Sequence, residues 1–393
     1  MTKVIFIPLV FIWIGVKPIS AQNVNIPDVS FLQTLINLGL DTDNDGKIQV
    51  AEAAAVTRLT ISSAGITNLT GIEAFINLDS LDCSSNQLTA LDLSQNTKLK
   101  LLYCSINKLT SLDLSKNIAL NNLGCSNNKL TSLTISKNSR LITLDCGFNK
   151  LTNLDLSADS SLEVLECYSN QLDSLNLYSN TKLTALYCGN NKLISLDLSK
   201  NIDLRILDCQ FCRLTNINLS KNIALTDLAC YSNQLSNLDI TNNIRLAHLD
   251  CGLNLYTYLN LSKNDSLSSA DCSQNPELRY ICVKDTNLVK SNVNFFKDNN
   301  VQWTQSCNQT TGMDKSPIVN MIQLNPNPSK ESFNLLLQQP ANIRILNSTG
   351  VEMEHFRNVQ NLKFGVSYPP GFYFVNIVFT SNHTSQVIKL IKE

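Results

Sequence analysis

Cysteine recurs every 21 residues ten times, at Cys83, Cys104, Cys125, Cys146, Cys167, Cys188, Cys209, Cys230, Cys251 and Cys272. Leucine stands two residues before each from Leu81 to Leu249, and Ala270 precedes the last. Asparagine follows three residues after each, from Asn86 to Asn275, except where Cys212 replaces it. So strict a period confines the chain to a stack of equal coils, because one coil buries its apolar side only against its neighbours. A coil this short has no room for a helix on its outer side. Extended segments are expected on both sides, giving a flattened, β-rich solenoid. Ten coils at a strand spacing of about 4.8 Å make a rod or shallow arc of roughly 45–50 Å.

The full phrase reads L-x-x-L-x-C-x-x-N-x-L-T-x-L-D-L-S-x-N-x-x. Alternation in L-x-C puts leucine and cysteine on one face of a short strand, pointing inward. An asparagine amide both donates and accepts at a sharply turned backbone, so a column of them ties coil to coil. A weaker period is nested inside: Leu91 to Leu259, then Leu93 to Leu261, then Asn96, Asn117, Asn138, Asp159 and asparagine again from Asn180 to Asn264.

The first half of the phrase resembles the leucine-rich repeat, with cysteine in the last apolar strand position. The short coil and the cysteine column are similar to those of the cysteine-ladder internalins. The resemblance implies a leucine-rich-repeat solenoid over residues 58–282. Thirteen cysteines in an exported chain would ordinarily suggest disulfides. Side chains stacked in register point the same way, however, whereas a bridge needs its Cβ atoms to converge to about 3.8 Å. The ladder cysteines, and Cys212, are therefore expected to be free and to act as small buried hydrophobes. Cys282 and Cys307 are off the column and flank the end of the array; they are the expected disulfide.

Residues 1–21 read as a secretory signal, with Lys3, the apolar run from Val4 to Val16, and Ser20-Ala21 before Gln22. A transmembrane helix is the competing reading, but the apolar core falls short of the ~20 residues that span a bilayer. Residues 22–57 follow as a helical cap, with Pro27 and Asp28 at a helix start. Within it, Asp41-Thr-Asp43-Asn-Asp45-Gly46-Lys47-Ile48-Gln49-Val-Ala-Glu52 resembles the EF-hand loop. The resemblance implies a structural Ca²⁺ held by Asp41, Asp43, Asp45, the Lys47 carbonyl and a bidentate Glu52, with Gln49 acting through water. An acidic turn that binds nothing is the plainer alternative.

Past Cys272 the pattern fades, and residues 283–307, with Phe295, Phe296 and Trp303, are expected to cap the last coil. Residues 308–320 are polar and read as a linker. Residues 321–393 carry strand-like segments between turn residues and suggest a small β-sandwich. Their words Asn325-Pro-Asn-Pro-Ser329, Gly350, Gly371-Phe-Tyr-Phe-Val375 and Lys389-Leu-Ile-Lys-Glu393 together resemble the C-terminal sorting domain of the type IX secretion system. That implies passage through the outer membrane, contact with the secretion machinery, and release or attachment at the cell surface.

With 31 basic and 32 acidic residues, the chain has no charge excess to draw it to nucleic acid. His248, His355 and His383 are widely separated, and no Ser/His/Asp grouping or Gly-rich phosphate loop occurs, so catalysis is not expected. The strand positions between the inward ones must face out, and they hold an acidic strip with aromatics near its middle. Asp145, Phe148, Glu166, Tyr168, Tyr187, Asp208, Phe211 and Tyr231 form the candidate ligand-binding face, suited to an extracellular protein or glycan. The acids equally keep a sheet soluble and the rings support their neighbours. Recognition or adhesion outside the cell is the leading expectation. A structural spacer with no ligand is the alternative.

Overall fold

The computed structural model describes residues 22–135, 137–307, 322–325, 329–347, 351–380 and 385–392. The expected signal segment and the linker lie outside the described residues, as do Pro326 to Pro328 and Gly350. The chain divides into two compact units, Met1–Gln309 and Thr310–Glu393.

In the first unit, each L-x-C word forms a three-residue strand, from Arg58–Thr60 through Ser80–Asp82 to Ser269–Asp271. These strands pair in parallel, leucine against leucine, as in Leu81↔Leu102 and Leu165↔Leu186. These eleven strands, with Phe295–Phe296 as the twelfth, build a 12-stranded sheet. Leu81, Leu144, Leu186, Cys83, Cys146 and Cys188 are fully buried in one continuous core. Each buried leucine contributes about 1.5–3 kcal/mol. Because the coils are in register, one column supplies a neighbour's lid for the next.

The asparagine ladder supplies the polar tie. Asn107 Nδ2 donates to the Cys83 carbonyl of the preceding coil and to Cys104 of its own, each at 3.1 Å. Its Oδ1 accepts from Leu88 N at 3.0 Å. A second ladder runs through the other half of each coil, where Asn117 Nδ2 donates to Leu93 and Asn96 carbonyls at 3.1 and 2.9 Å. The amide donors of both ladders thus find partners inside the core, whereas in the second ladder the Oδ1 atoms, such as those of Asn96 and Asn117, are buried without one.

The outer side differs from the expected second run of strands. Among the described residues a paired sheet forms there at the C-terminal end, from Tyr258–Asn260, Tyr280–Cys282 and Gln302–Thr304, and one isolated parallel bridge joins Asp113 to Thr134. Earlier coils carry side-chain turns there. Ser94 N donates to Asp92 Oδ1 at 2.9 Å, and the pattern repeats at Ser115 with Asp113 and Ser199 with Asp197. The same turn follows Asn260 in the paired coil, where Ser262 N donates to Asn260 Oδ1 at 3.0 Å, so it is common to paired and unpaired coils.

Two short helices, Val29–Asn37 and Val50–Ala55, close the N-terminal end. Phe31 and Leu35 enter the solenoid core, and the Phe31 and Phe75 rings lie 6.4 Å apart. Asp28 fixes that docking: one oxygen caps the first helix through Phe31 N, and the other accepts from Thr67 and Asn68 of the first coil. At the other end, Phe295–Phe296 and Gln302–Thr304 add a last strand to each sheet. A disulfide joins Cys282 to Cys307, with Cα atoms 5.3 Å apart. The ladder cysteines and Cys212 are free thiols.

The described strands of the second unit pair as a five-stranded antiparallel sheet. A 15-residue strand, Phe333–Asn347, runs through it and pairs on different stretches with Ile322–Asn325, Glu352–Phe364 and Gly371–Phe379. Register shifts between Leu336 and Ile343 interrupt its pairing, beside Pro340, which has no N–H to give. The strand Glu352–Phe364 is mostly exposed and polar, which hides it from an alternation reading. Phe333, Ile343, Val375, Ile377 and Leu390 form this unit's own core.

Candidate recognition face and metal loop

Three columns of the 12-stranded sheet border its buried leucines and cysteines: Ser80 to Ser269, Asp82 to Asp271 and Ser84 to Ser273. Seven carboxylates stand in them, namely Asp82, Asp145, Glu166, Asp208, Asp227, Asp250 and Asp271, and the one basic residue is Arg58, which extends the first column on the edge strand at the N-terminal end. The other 30 of the chain's 31 basic residues lie elsewhere. One oxygen of Asp145 and of Asp208 accepts the amide two residues on, Gly147 N and Gln210 N, at 3.1 Å each. This holds the carboxylate in place. Burial raises the Glu166 carboxyl above its usual value, and Asp145 adds to the effect. Burial likewise raises Asp250, with Asp271 and Asp208 as further causes. The acids press on one another because no cation stands among them between Asp145 and Asp271 to offset them.

Two aromatic pairs repeat along the face. Phe148 meets Tyr168 edge-on at 5.1 Å, and Phe211 meets Tyr231 edge-on at 5.4 Å. Glycine makes room for the tyrosines. A Cβ on Gly147 would sit 2.8 Å from the Tyr168 ring, and one on Gly252 3.0 Å from Tyr231. The phenylalanines occupy left-handed backbone, at φ of 48° and 51°, and remain about half exposed. Bulky side chains rarely take that conformation, which costs a non-glycine residue roughly 1–2 kcal/mol.

The sequence-predicted residues are therefore all on or beside one sheet face, but they do not converge on one point. Asp145, Phe148, Glu166 and Tyr168 flank two neighbouring strands, Thr143–Asp145 and Val164–Glu166. A hollow of about 410 Å³ opens further along. It takes Tyr187 and Asp208 from the predicted set and adds Asp227, His248, Asp250, Asp271 and Phe296. Asp250 Oδ1 is buried there without a partner. The strip of acids made Asp250 and Asp271 legible in the sequence. Asp227 and His248 belong to the column before it, and Phe296 arrives from the cap, outside the repeat.

In the cap loop, Asp41, Asp43 and Asp45 each offer an oxygen within 4.8 Å of the others. Asp41 accepts from Asp45 N at 3.1 Å and Gly46 N at 2.9 Å, and Gly46 takes φ of 81° to close the turn. Three converging carboxylates suit a hard divalent cation. Glu52 stands apart. Its Oε1 accepts from Thr42 N at 2.5 Å and Thr42 Oγ1 at 2.6 Å, and Oε2 accepts from Gln49 N at 2.9 Å. Burial works to raise its carboxyl, but the bonds from Thr42 and Gln49 outweigh that and hold it below the usual range. The glutamate thus serves as a helix cap here, outside the aspartate cluster.

A family model described as a secretion system C-terminal sorting domain matches residues 323–393. The protein is an exported leucine-rich-repeat solenoid. Its sorting domain belongs to type IX export, to the cell surface or beyond it, and no described helix is long and apolar enough to cross a membrane. The chain is similar to the functional domain of InlJ from Listeria monocytogenes, a structure that includes a cysteine ladder. Identity is 26% at a TM-score of 0.64, over 95% of this chain and 98% of that one. The leucine-rich-repeat ectodomain of the plant receptor kinase GASSHO1/SCHENGEN3 from Arabidopsis thaliana shares the fold at 19% identity and a TM-score of 0.52. That likeness covers 62% of this chain and 35% of the ectodomain. No curated relative matches.

Proposed function

We propose that the solenoid is a recognition module displayed outside the cell, and that its sheet face binds a basic segment of an extracellular protein. The observation that carries this reading is the segregation of charge: seven carboxylates against a single arginine, Arg58 on the edge strand, on a face whose parent chain is balanced. A solubilising surface would mix the two signs. Aromatic side chains beside the acids add contact area that a cationic segment can use through ring faces. A glycan is the competing ligand, since rings and carboxylates also suit sugars. Calcium held by Asp41, Asp43 and Asp45 has a structural part in this reading, stiffening the cap that covers the first coil.

The test is binding of the full chain to a panel of extracellular proteins, basic peptides and glycans, beside Asp208→Asn with Asp250→Asn and beside Tyr187→Ala. A basic partner whose affinity falls tenfold or more in the double variant, and falls steeply with salt, supports the reading. A salt-insensitive glycan lost with Tyr187→Ala replaces it. No binding by any variant assigns the array to a spacer.

A further inference from the structure

Asp159 breaks the second ladder in the middle of the array. It occupies the position held by Asn138 one coil before and Asn180 one coil after, and it is fully buried like them. Those asparagines define what the site asks for. Asn138 Nδ2 donates to the Leu114 and Asn117 carbonyls at 3.2 and 2.8 Å, and Asn180 Nδ2 donates to Leu156 and Asp159 at 3.1 and 2.9 Å. By the same offsets Asp159 faces the carbonyl oxygens of Ile135 and Asn138. A carboxylate has no proton to give them, and both Asp159 oxygens are buried without a partner. Oxygen would face oxygen across a joint that every neighbouring coil closes with an N–H.

We infer that Asp159 is a proton-operated latch: the neutral acid donates across the joint to Ile135 or Asn138, and ionisation opens that joint. The charged groups around it leave the outcome to the proton. Asp155, on the same coil, disfavours the ionised form. Lys137 and Arg140 on the preceding coil and Lys182 on the following one are exposed, and none forms an ion pair with it among the described residues. A surface hollow of about 250 Å³, lined by Thr134, Ile135, Asn153 and Asp155, lies on the same pair of coils.

Burial first, and Asp155 second, push the Asp159 carboxyl up to about 7, above the ordinary value it regains on unfolding. Between about pH 4 and that value the folded chain holds a proton that the unfolded chain has lost, so stability falls as pH rises. Below pH 4 the contribution is complete; above about 7 it is gone. The latch therefore loosens across neutrality.

The experiment compares melting of the full chain with that of Asp159→Asn from pH 4.5 to 8.5. The asparagine is the residue that the ladder uses elsewhere, so folding is safeguarded. The wild type should lose on the order of 4–8 °C relative to the variant across this range, with the difference flat above about pH 7.5. Parallel curves overturn the latch. Hydrogen exchange, corrected for its intrinsic pH dependence, should show the excess opening at Asn138, Leu141 and Leu162; excess spread evenly over the array overturns it too. Asn138→Asp should install a second such pH dependence one coil earlier, and a variant whose melting is insensitive to pH there rejects the mechanism.

Discussion

Cys212 holds its sulfur 3.6 Å from the carbonyl oxygen of Cys188, where the rest of that ladder donates from an amide. Asn191 and Asn233, one coil to either side, reach the matching carbonyls of Cys167 and Cys209 at 3.0 and 2.9 Å. A thiol is a weak donor and cannot bond two carbonyls at once. Cys212→Asn should therefore stabilise the chain by about 1 kcal/mol, seen as a rise of about 2–4 °C in melting temperature. A lower melting temperature would mean that the coils have adjusted to sulfur and that the ladder amides matter less than their geometry suggests.

The thiols themselves should be silent in the folded state. Burial pushes Cys104 and Cys230 up to about 12, and the other ladder cysteines from Cys83 to Cys209 also rise. The thiolate is the reactive form, so at pH 8 a group near 12 presents only about one part in ten thousand of it. Alkylation of the native chain at pH 8 should leave these cysteines unmodified, while the unfolded, unreduced chain should present 11 free thiols. Cys212, in the less enclosed ladder position, should react first. Fast native modification at Cys104 would show that the core opens far more readily than its packing implies.

The repeat was legible because a solenoid writes its geometry directly into sequence spacing. One residue's burial fixes the burial of its counterpart in every coil, so the L-x-C and asparagine columns translated straight into strands, core and ladders. The outer side was less legible. The Asp-x-Ser words at Asp92, Asp113 and Asp197 mark side-chain turns, yet they sit inside an alternating apolar pattern that also suits a strand. The hollow on the face escaped because Phe296 reaches it from a cap with no period. Asp159 was visible as a break in a column, but its meaning depends on full burial and on two carbonyls that only the folded coil brings to it.

Phe148 and Phe211 separate folding from recognition. Each is about half exposed in left-handed backbone, so asparagine at either position relieves a conformational cost of roughly 1–2 kcal/mol. The edge-on contact with Tyr168 or Tyr231 that is lost was worth about 0.5–1.5 kcal/mol. The two effects offset. Phe148→Asn with Phe211→Asn should leave melting within about 1 kcal/mol of the wild type and weaken ligand capture by the face at least fivefold. Unchanged capture would put recognition elsewhere, in the hollow around Asp250 alone.

The cap loop offers a test in which its acids part company. With a dissociation constant of ~10⁻⁴ M, calcium at 10 mM should stabilise the chain by about 2.7 kcal/mol, and Asp41→Ala with Asp45→Ala should abolish that rise. Glu52→Gln probes a different role. Its carboxylate caps the helix Val50–Ala55 through Gln49 N and ties down Thr42, outside the aspartate cluster. The substitution should lower stability without calcium by about 1 kcal/mol, the usual worth of a capping interaction. It should also leave most of the calcium-dependent rise in place, because the three aspartates still converge. Loss of the whole rise in Glu52→Gln would mean that the glutamate leaves its cap and joins the aspartates when the cation arrives. Melting in chelator and in calcium, for the wild type and both variants, separates these outcomes.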